Sequence, residues 1–358
     1  MKIAHFADLH LDSKFDSLNA IKGLPEKRRL EQRRVLKEII EYVELNNVDI
    51  LLIPGDLYEQ KYIRKSSIEY INSLFKKIPN TLVFIAPGNH DPFLQNSFYN
   101  TFNWNENVHI FKNEIEKVQL DEGVNIYGYG FGDFYCEDSG VEKIKIDNPK
   151  ELNILITHGS LDSGAEDYKE YNPLSKSKLK KLGFDYIALG HVHKPFFNEE
   201  PGQRIVYPGS PMSLGFDEPG KHGFIAGKIE KENIKLEFIE TDKREFVEIK
   251  LDITKFFSNE EVIEKIQSLK LDYQNLYKIT LEGQRFFTID LEEITRLHGV
   301  ENIIRIKDNT KTGIDINAIA KENSIKGKFV KRMLERKEKE GLDEDFIEKT
   351  IEIGLEVL

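Results

Sequence analysis

Histidine and acidic residues occur in short motifs in this 358-residue chain, and each motif follows an apolar, strand-like run. In chain order the motifs are Asp8-Leu9-His10, Gly55-Asp56, Gly88-Asn89-His90-Asp91, His158-Gly159 and Gly190-His191-Val192-His193. Carboxylate, carboxamide and imidazole ligands together suit divalent cations such as Mn²⁺, Fe²⁺ or Zn²⁺. In open α/β sheets, ligands bind at the carboxyl ends of the strands. The motifs are therefore predicted to converge in one crevice.

The number of these candidate ligands indicates the kind of metal centre. About seven side chains are too many for one ion with open positions, but they suit two ions that share a carboxylate. Two cations roughly 3.5–4 Å apart clamp the attacking and leaving oxygens of a phosphoryl group and activate water. This predicts a phosphoesterase. The alternative is that polar residues merely end strands in loops. It is disfavoured because five of the nine histidines fall in these motifs. The remaining histidines, predicted to be structural or exposed, are His5, His109, His222 and His298.

The elements that must position the motifs indicate an α/β fold. The strand-like runs that precede them are Ile3–Ala7, Ile50–Ile53, Thr81–Ala86, Asn153–Thr157 and Tyr186–Leu189. A helix opened by Pro25 is predicted from the helical spacing of Leu36, Ile39, Ile40 and Val43. Alternation without helices predicts antiparallel strands over Val108–Phe131 and Arg204–Glu240. We expect two stacked mixed β-sheets flanked by helices.

The pattern restarts after about Thr241. Predicted strands and helices follow as Phe246–Ile253, Asn259–Leu269, Leu276–Leu281, Leu291–Leu297 and Asn302–Ile306. The turn-rich Asp308–Gly313 is predicted to be a linker. Beyond it, two apolar stripes separated by Gly341 predict a helical tail: Ile325, Phe329, Val330, Met333 and Leu334, then Ile347, Ile351, Leu355 and Leu358. The predicted domains are therefore 1–241, a small α+β cap at 242–308, and a tail at 314–358.

Composition limits the class of protein. The 39% hydrophobic and 32% charged content is typical of a soluble globular chain. Only Cys136 is available, so no intrachain disulfide can form, and no apolar run approaches a membrane span of about 18 residues. Together these predict a cytoplasmic protein without membrane association. The net charge of −11 disfavours nucleic-acid binding without excluding it, because two divalent cations would bring four positive charges to the phosphate.

The five motifs, in this order, resemble those of the calcineurin-like metallophosphoesterase superfamily. The resemblance implies that one metal is held by Asp8, His10, Asp56 and His193, and that Asp56 bridges to a second metal completed by Asn89, His158 and His191. It also implies a catalytic role for His90, which would contact phosphate and protonate the leaving oxygen, and for Asp91, which would orient His90.

Longer phrases are similar to those of the SbcD/YhaO-type bacterial DNA-repair exonucleases over residues 1–240: LIPGDLYE, APGNHDP, FDYIALGHVHKP and YPGSPMSLGFDEPGKHGF. This resemblance implies a Mn²⁺-dependent DNA exonuclease whose cap helps to select DNA. It also implies that the C-terminal helices dock on the coiled coil of an SbcC-type ATPase, with a homodimer as a further assembly. Glu59 stands where relatives often carry His or Asp, and is a candidate substrate contact or a positioner of His90.

Two other functions compete with the exonuclease. One is a small-molecule phosphodiesterase or phosphatase, which the cap and tail disfavour. The other is a catalytically silent scaffold, which the intact ligands and His90 disfavour. Two features have alternative interpretations. The aromatic residues Phe93, Phe98, Tyr99, Phe102 and Trp104 could stack bases but are predicted to pack in the core. The basic stretch Lys27–Arg34 is predicted to be the outer face of its helix, and lining a DNA path is the alternative.

Overall fold

The computed structural model describes residues 1–19, 21–120, 123–162, 171–198, 202–231, 233–313 and 316–358. It contains two compact units, Met1–Phe246 and Val247–Leu358. Residues 121–122 and 232, within the stretches of predicted antiparallel strands, and residues 314–315, at the start of the predicted tail, lie outside the described residues. Within the described ranges, no helix is both long and apolar enough to cross a membrane.

The first unit alternates strands and helices. Its strands are β1 (Lys2–His5), β2 (Ile50–Ile53), β3 (Leu82–Ile85), β4 (Val108–Ile110), β5 (Glu116–Leu120), β6 (Val124–Tyr129), β7 (Leu152–His158), β8 (Ser160–Leu161), β9 (Pro173–Leu174), β10 (Tyr186–Gly190), β11 (Ile205–Val206), β12 (Gly223–Glu230) and β13 (Asn233–Glu240). Its helices are α1 (Leu24–Leu45), α2 (Lys65–Phe75), α3 (Phe98–Thr101) and α4 (Lys176–Leu182), with 3₁₀ turns at Asp16–Leu18 and Val141–Lys143.

Two mixed sheets stack to form the core of this unit. One has the order β13-β12-β1-β2-β3-β4, and the other has the order β11-β10-β7-β6-β5. Buried Ile3 and Leu52 of the first sheet share a cluster with Ile126, Ile156 and Tyr186 of the second. Burying one such side chain stabilises a fold by roughly 1.5–3 kcal/mol, so this shared layer holds the sheets together. The prediction of two stacked mixed sheets flanked by helices is confirmed.

The predicted strand directions need correction. β4 runs parallel to β3, β6 runs parallel to β7, and β11 runs parallel to β10. Among the described strands, only the pairs β5–β6 and β12–β13 are antiparallel within the two stretches where antiparallel strands were predicted. Alternation of apolar and polar residues reports which face of a strand is buried and carries no information about direction.

The second unit contains β14 (Phe246–Asp252, beginning at the last residue of the first unit), β15 (Leu276–Glu282), β16 (Gln284–Arg285), β17 (Ile303–Asp308) and β18 (Lys311–Thr312), with helices α5 (Asn259–Gln267), α6 (Leu291–Leu297), α7 (Ile316–Ala320), α8 (Ile325–Glu340) and α9 (Glu344–Val357). The predicted linker Asp308–Gly313 is wrong in part. β18 pairs with β16, and the Gly313 N–H donates to the Arg285 carbonyl at 2.7 Å. The turn residues serve here as a tight connection into a strand pair.

The helices at the end of the chain have a small core of their own. Val330 of α8 is buried with Ile347, Ile351 and Leu355 of α9. Gly341 ends α8 in a left-handed conformation, as the predicted break requires. The predicted stripes extend too far, because Ile325 and Leu358 are 75% and 55% exposed. The two helices therefore satisfy part of their apolar surface against each other.

Candidate metal centre

The predicted ligands lie at the carboxyl ends of β1, β2 and β3, which are parallel in one sheet, and of β7 and β10, which are parallel in the other. Asp8 and His10 follow β1, Asp56 follows β2, and Asn89 follows β3; His158 ends β7, and His191 and His193 follow β10. The strand ends meet closely because Gly190 has no side chain. A Cβ on Gly190 would lie 2.0 Å from the Pro54 carbonyl oxygen and 3.0 Å from Nδ1 of His158. Any other residue at this position would push the two sheets apart.

One group of candidate ligands lies around the point where the His10 and His193 rings face each other. Their Nε2 atoms are 3.2 Å apart. Nε2 of His193 lies 3.9 Å from Asp8 Oδ1, and Nε2 of His10 lies 3.7 Å from Asp56 Oδ2. Candidate ligand atoms of Asp8, His10 and His193 all lie within 4.8 Å of one another.

A second group surrounds Asn89. Its Oδ1 lies 2.9 Å from Nε2 of His158 and 3.3 Å from Nδ1 of His191. Nε2 of His158 lies 3.4 Å from the same Asp56 Oδ2 that His10 approaches. Asp56 therefore belongs to both groups. The structure brings all seven predicted ligands together in two sets joined by one carboxylate.

The chemistry of the second group fits a cation. Nδ1 of His158 lies 2.9 Å from the Pro54 carbonyl oxygen, which only accepts hydrogen bonds, so Nδ1 carries the proton. Burial lowers the pKa of His158, which keeps the ring neutral and Nε2 a lone-pair donor. That lone pair faces oxygens of Asn89 and Asp56. Acceptors directed at one point without a donor are the arrangement that a bound metal requires.

The two buried carboxylates differ in how their surroundings shift their pKa values. Burial raises the pKa of Asp8 to about 8, and the charge of Asp56 adds to this rise. Burial by itself would also raise the pKa of Asp56, but attraction to the imidazoles of His158, His10 and His90 outweighs it and holds the pKa of Asp56 below its ordinary range. Ionising both carboxylates together requires cations close by, and divalent metals are the strongest local charges available.

Two glutamates contact the ring nitrogens of His193 and His10 that face away from the candidate metal centre. Glu218 Oε1 lies 2.5 Å from Nδ1 of His193, and Glu59 Oε1 lies 2.9 Å from Nδ1 of His10. Such contacts fix the tautomer and the direction of a ligating ring. Sequence reasoning missed Glu218, which lies 25 residues beyond His193. The YPGSPMSLGFDEPGKHGF phrase that contains Glu218 was its only signal.

His90 differs from the ligands in its exposure. Its side chain is 45% exposed. Its backbone N–H donates to Asp56 Oδ1 at 2.8 Å, and its Nδ1 lies 3.1 Å from Glu59 Oε2. Burial lowers the pKa of His90, but the hydrogen bond to Glu59 and the charge of Asp56 outweigh it and raise the pKa to about 9. The imidazole also lies within 4.8 Å of ligand atoms of His10 and Asp56, so it is close enough to act on a group bound there.

Asp91 has a different role from the one suggested by sequence. Its carboxylate accepts hydrogen bonds from the backbone N–H groups of Gly88, Asp56 and Leu57 and from the Tyr99 hydroxyl, at 2.7–2.9 Å. The carboxylate that contacts the His90 ring is that of Glu59. Asp91 therefore holds the Asp56 and Asn89 loops together, and the expectation that Asp91 orients His90 is corrected.

Most of the residues for which the sequence allowed two interpretations are buried or half-buried. Tyr99 is buried, which confirms core packing for this residue, whereas Phe93, Phe98, Phe102 and Trp104 are half-buried. The Trp104 ring lies 5.9 Å from the Tyr99 ring and 5.4 Å from the Phe102 ring. His5, His222 and His298 are buried, as predicted for structural histidines. The outer-face prediction for Lys27–Arg34 is wrong at Arg28, which is fully buried.

Several ligands have an unusual backbone conformation. Asp8, His10 and Asp56 have φ angles of 55°, 49° and 54°, and His191 has a φ of 103°. Residues other than glycine adopt positive φ at a cost, and such residues cluster at functional sites. The tight turns at the strand ends therefore direct these side chains inward at the expense of local backbone strain.

Comparison with known proteins places these motifs in context. A sequence profile described as calcineurin-like phosphoesterase matches residues 1–195. The metallophosphoesterase YhaO of Bacillus subtilis, described as uncharacterized, is 29% identical over 245 residues, which cover 65% of this chain and 59% of YhaO. The SbcD component of the nuclease SbcCD from Staphylococcus epidermidis is 28% identical over 256 residues, which cover 61% of this chain and 63% of that protein.

The chain thus spans about three fifths of the length of these curated relatives. Among solved structures, purple acid phosphatase PPD1 from yellow lupin seeds aligns with a TM-score of 0.40 at 14% identity, covering 67% of this chain and 51% of the phosphatase.

Proposed function

This chain belongs to the calcineurin-like phosphoesterase family, and we propose that it is a Mn²⁺-dependent DNA exonuclease that acts in cytoplasmic DNA repair together with an SbcC-type coiled-coil ATPase. The observation that carries the hydrolytic part of the proposal is the pair of ligand groups joined by Asp56. Two divalent cations held there would polarise a phosphoryl oxygen and activate water.

The side chains divide the work around such a centre. Asp8, His10 and His193 would hold one ion, Asn89, His158 and His191 the other, and Asp56 both. Glu59 and Glu218 keep the rings of His10 and His193 in the ligating orientation. His90, exposed and hydrogen-bonded to Glu59, holds a proton at the rim of the centre. It would donate that proton to the leaving oxygen, as a general acid does.

The choice of DNA as substrate is supported by a relative. The Staphylococcus epidermidis protein at 28% identity is named as part of a nuclease. The second unit, which contains most of the proposed cap at 242–308 and the proposed tail from 314, provides surface that a small phosphoester does not need. A small-molecule phosphodiesterase remains the alternative, because the metal centre by itself suits any phosphoester.

The partner assignment is supported by the last helix. Phe346, Ile353 and Val357 of α9 are 59%, 56% and 82% exposed, and they are spaced seven and four residues apart, which places them on one face. An exposed apolar helix face of this kind suits docking against another helix.

The substrate assignment is tested with purified protein and Mn²⁺. End-labelled linear DNA, cyclic nucleotides and a generic phosphomonoester are incubated in parallel, with Asp56→Ala as the inactive control. We expect DNA to shorten from its ends, and labels at the 5′ and 3′ ends report the polarity. Rapid hydrolysis of the small substrates with intact DNA would instead establish the phosphodiesterase alternative. Replacing Mn²⁺ by Fe²⁺, Zn²⁺ or Mg²⁺ tests the metal assignment.

A further inference from the structure

A basic pocket lies beside the metal centre. Its cavity of about 530 Å³ is lined by five cationic side chains, those of Lys14, Arg29, Arg33, Lys61 and Arg64. We propose that this basic pocket binds a backbone phosphate of the nucleic-acid strand, next to the phosphate being cleaved. The proposal rests on the proposed nuclease function and adds the element that would select a polynucleotide over a small phosphoester.

The charge of the pocket is the first argument. The chain as a whole carries a net charge of −11, yet Asp12 is the only acidic residue among those lining this cavity. Arg33 is paired with Asp12 at 2.6 Å, and Arg29 with Glu26 at 2.9 Å. Within the described residues, Lys14, Lys61 and Arg64 form no ion pair. Three exposed cations around one concavity in an acidic protein are suited to an anion from outside.

The pocket is held in shape by internal contacts. Asp12 accepts hydrogen bonds from Arg33 and from the Ser67 hydroxyl, both at 2.6 Å, and Arg33 also donates to Ser67 at 2.9 Å. Two ammonium groups lie over the Tyr62 ring, with Lys14 Nζ at 4.5 Å and Lys61 Nζ at 5.5 Å from its centroid. These cation–π contacts keep both lysine heads at the rim. The first turn of α2 contributes Ser66 and Ser67, and a helix N-terminus adds partial positive charge.

The position of the pocket identifies the phosphate it would bind. Asp12 follows His10 by two residues, so their Cα atoms are at most about 7 Å apart. The opposite wall of the pocket, which contains Lys61, Tyr62 and Arg64, follows Glu59 in the chain. The Glu59 carbonyl accepts a hydrogen bond from the Tyr62 N–H at 2.9 Å, and the Glu59 N–H donates to the Leu11 carbonyl at 3.0 Å. Both walls are direct extensions of the loops that carry His10 and Asp56. A strand with one phosphate at the metals therefore has a neighbouring phosphate within reach of the pocket.

The test uses the full-length chain with Lys61→Gln/Arg64→Gln, which removes two rim charges and leaves the Arg33–Asp12 pair intact. The matched control is Lys76→Gln/Lys77→Gln, two exposed lysines just beyond the opposite end of α2. Binding of a fluorescent single-stranded oligonucleotide is measured by anisotropy in EDTA, so that metal content does not enter. Hydrolysis of the same oligonucleotide and of bis(p-nitrophenyl) phosphate is measured with Mn²⁺.

We expect Lys61→Gln/Arg64→Gln to raise the oligonucleotide Kd by about tenfold or more and to reduce the slope of log Kd against log salt by about 1 to 2. Its loss of kcat/KM should be at least about tenfold greater for the oligonucleotide than for bis(p-nitrophenyl) phosphate. The Lys76→Gln/Lys77→Gln control should match the wild type in all three measurements. Melting temperatures and bound manganese report whether each variant is folded, and the two single substitutions replace the double variant if it melts early.

The outcomes separate the two proposals. If the pocket variant and the control behave alike while wild type degrades the oligonucleotide, the pocket proposal fails and the nuclease proposal stands. If wild type neither binds nor cuts the oligonucleotide but hydrolyses bis(p-nitrophenyl) phosphate, the nuclease proposal itself fails. Inorganic phosphate, compared with chloride at equal ionic strength, is added as a competitor. If the pocket binds a phosphate group, inorganic phosphate should reduce the difference in Kd between wild type and Lys61→Gln/Arg64→Gln more than chloride does. An equal effect of phosphate and chloride on that difference would contradict the pocket proposal.

Discussion

Glu218 Oε1 lies 2.5 Å from Nδ1 of His193, and the opposite ring nitrogen of His193 faces His10 at 3.2 Å. The other Glu218 oxygen accepts from the Leu214 N–H at 3.0 Å, so the carboxylate is tied to its own loop. Because a histidine that donates through Nδ1 must ligate through Nε2, this contact selects the nitrogen directed at the metal centre.

Replacing Glu218 should weaken metal binding without changing any ligand. We expect Glu218→Ala to lower Mn²⁺ affinity by about 10–100-fold, as loss of an outer partner of a ligating histidine usually does. Glu218→Gln keeps an acceptor for the ring N–H and should lose less. Calorimetric titration with Mn²⁺ measures both, with the exposed neighbour Asp217→Asn as the control for lost charge. Equal losses in Glu218→Ala and Asp217→Asn would show that only net charge matters.

His90 should be separable from the metal ligands. We expect His90→Ala to retain manganese and to lose about two to four orders of magnitude in hydrolysis rate, the usual contribution of general acid catalysis. Asp56→Ala should lose metal and activity together, since Asp56 belongs to both ligand groups. Bound manganese and nuclease rate are measured side by side. Metal loss in His90→Ala comparable to that in Asp56→Ala would make His90 a ligand.

Arg28 should be important for stability. This fully buried guanidinium donates to Glu31 at 2.7 Å, to Asp242 at 3.0 Å and to the Ser213 carbonyl at 2.7 Å. Arg28→Met removes a buried cation from Asp242 and from Glu31, which keeps Arg244, and we expect the free energy of unfolding to fall by about 3–5 kcal/mol. Urea denaturation measures the change. Arg34→Met on the exposed side of α1 should stay within about 0.5 kcal/mol of wild type. If Arg28→Met and Arg34→Met lowered the free energy of unfolding by similar amounts, the buried contacts of Arg28 would not be important for stability.

His5 should make stability depend on pH. Burial lowers the pKa of His5 to about 3, against about 6.5 in the unfolded chain. Between pH 6.5 and about pH 3, His5 is protonated in the unfolded state and neutral in the folded state. The free energy of unfolding therefore decreases by about 1.4 kcal/mol for each pH unit over this range as the pH is lowered. Between pH 7 and 5 the advantage of wild type over His5→Gln should shrink by about 2 kcal/mol, measured by urea unfolding in EDTA. If the free energy of unfolding changed equally with pH in wild type and in His5→Gln, His5 would be excluded as the cause of the pH dependence.

The exposed face of α9 should be required for binding the ATPase. We expect Phe346→Glu/Ile353→Glu to abolish association in a pull-down, because it places charges on an apolar docking face and leaves the buried Ile347 and Ile351 in place. Truncation after Thr312 should have the same effect, since it removes α7 to α9 and keeps the β16–β18 pair. Full association of either variant would refute docking through these helices.

The sequence could nominate the candidate ligands, which the structure places together, because their signal is local. Asp8 and His10, or His191 and His193, are close in the chain, and each pair follows a recognisable strand. Glu218 carries no such signal. Its role arises only when a distant loop folds back onto His193, and a lone glutamate in a turn looks like any solvated residue. The same holds for Asp91, whose partners include three backbone N–H groups that no sequence pattern displays.

The direction of the strands and the burial of the Arg28 charge also could not be predicted from the sequence. Arg28 reads as part of a basic stretch, because its neighbours Lys27, Arg29, Arg33 and Arg34 dominate the local composition. It is buried because Glu31 and Asp242, far apart in the chain, converge on it. The linker prediction was wrong in part for a similar reason. The pairing of Lys311–Thr312 with Gln284–Arg285 depends on the tertiary fold, whereas turn propensity is local.

The positive φ angles of Asp8, His10, Asp56 and His191 have a consequence for how this protein can evolve. A left-handed backbone costs an ordinary residue roughly 1–2 kcal/mol, and glycine removes most of that cost. Glycine at any of these four positions would relieve the strain and remove a proposed metal ligand in one step. Selection for heat resistance alone would therefore favour inactive descendants, and directed evolution of a more robust enzyme has to screen for turnover in every round.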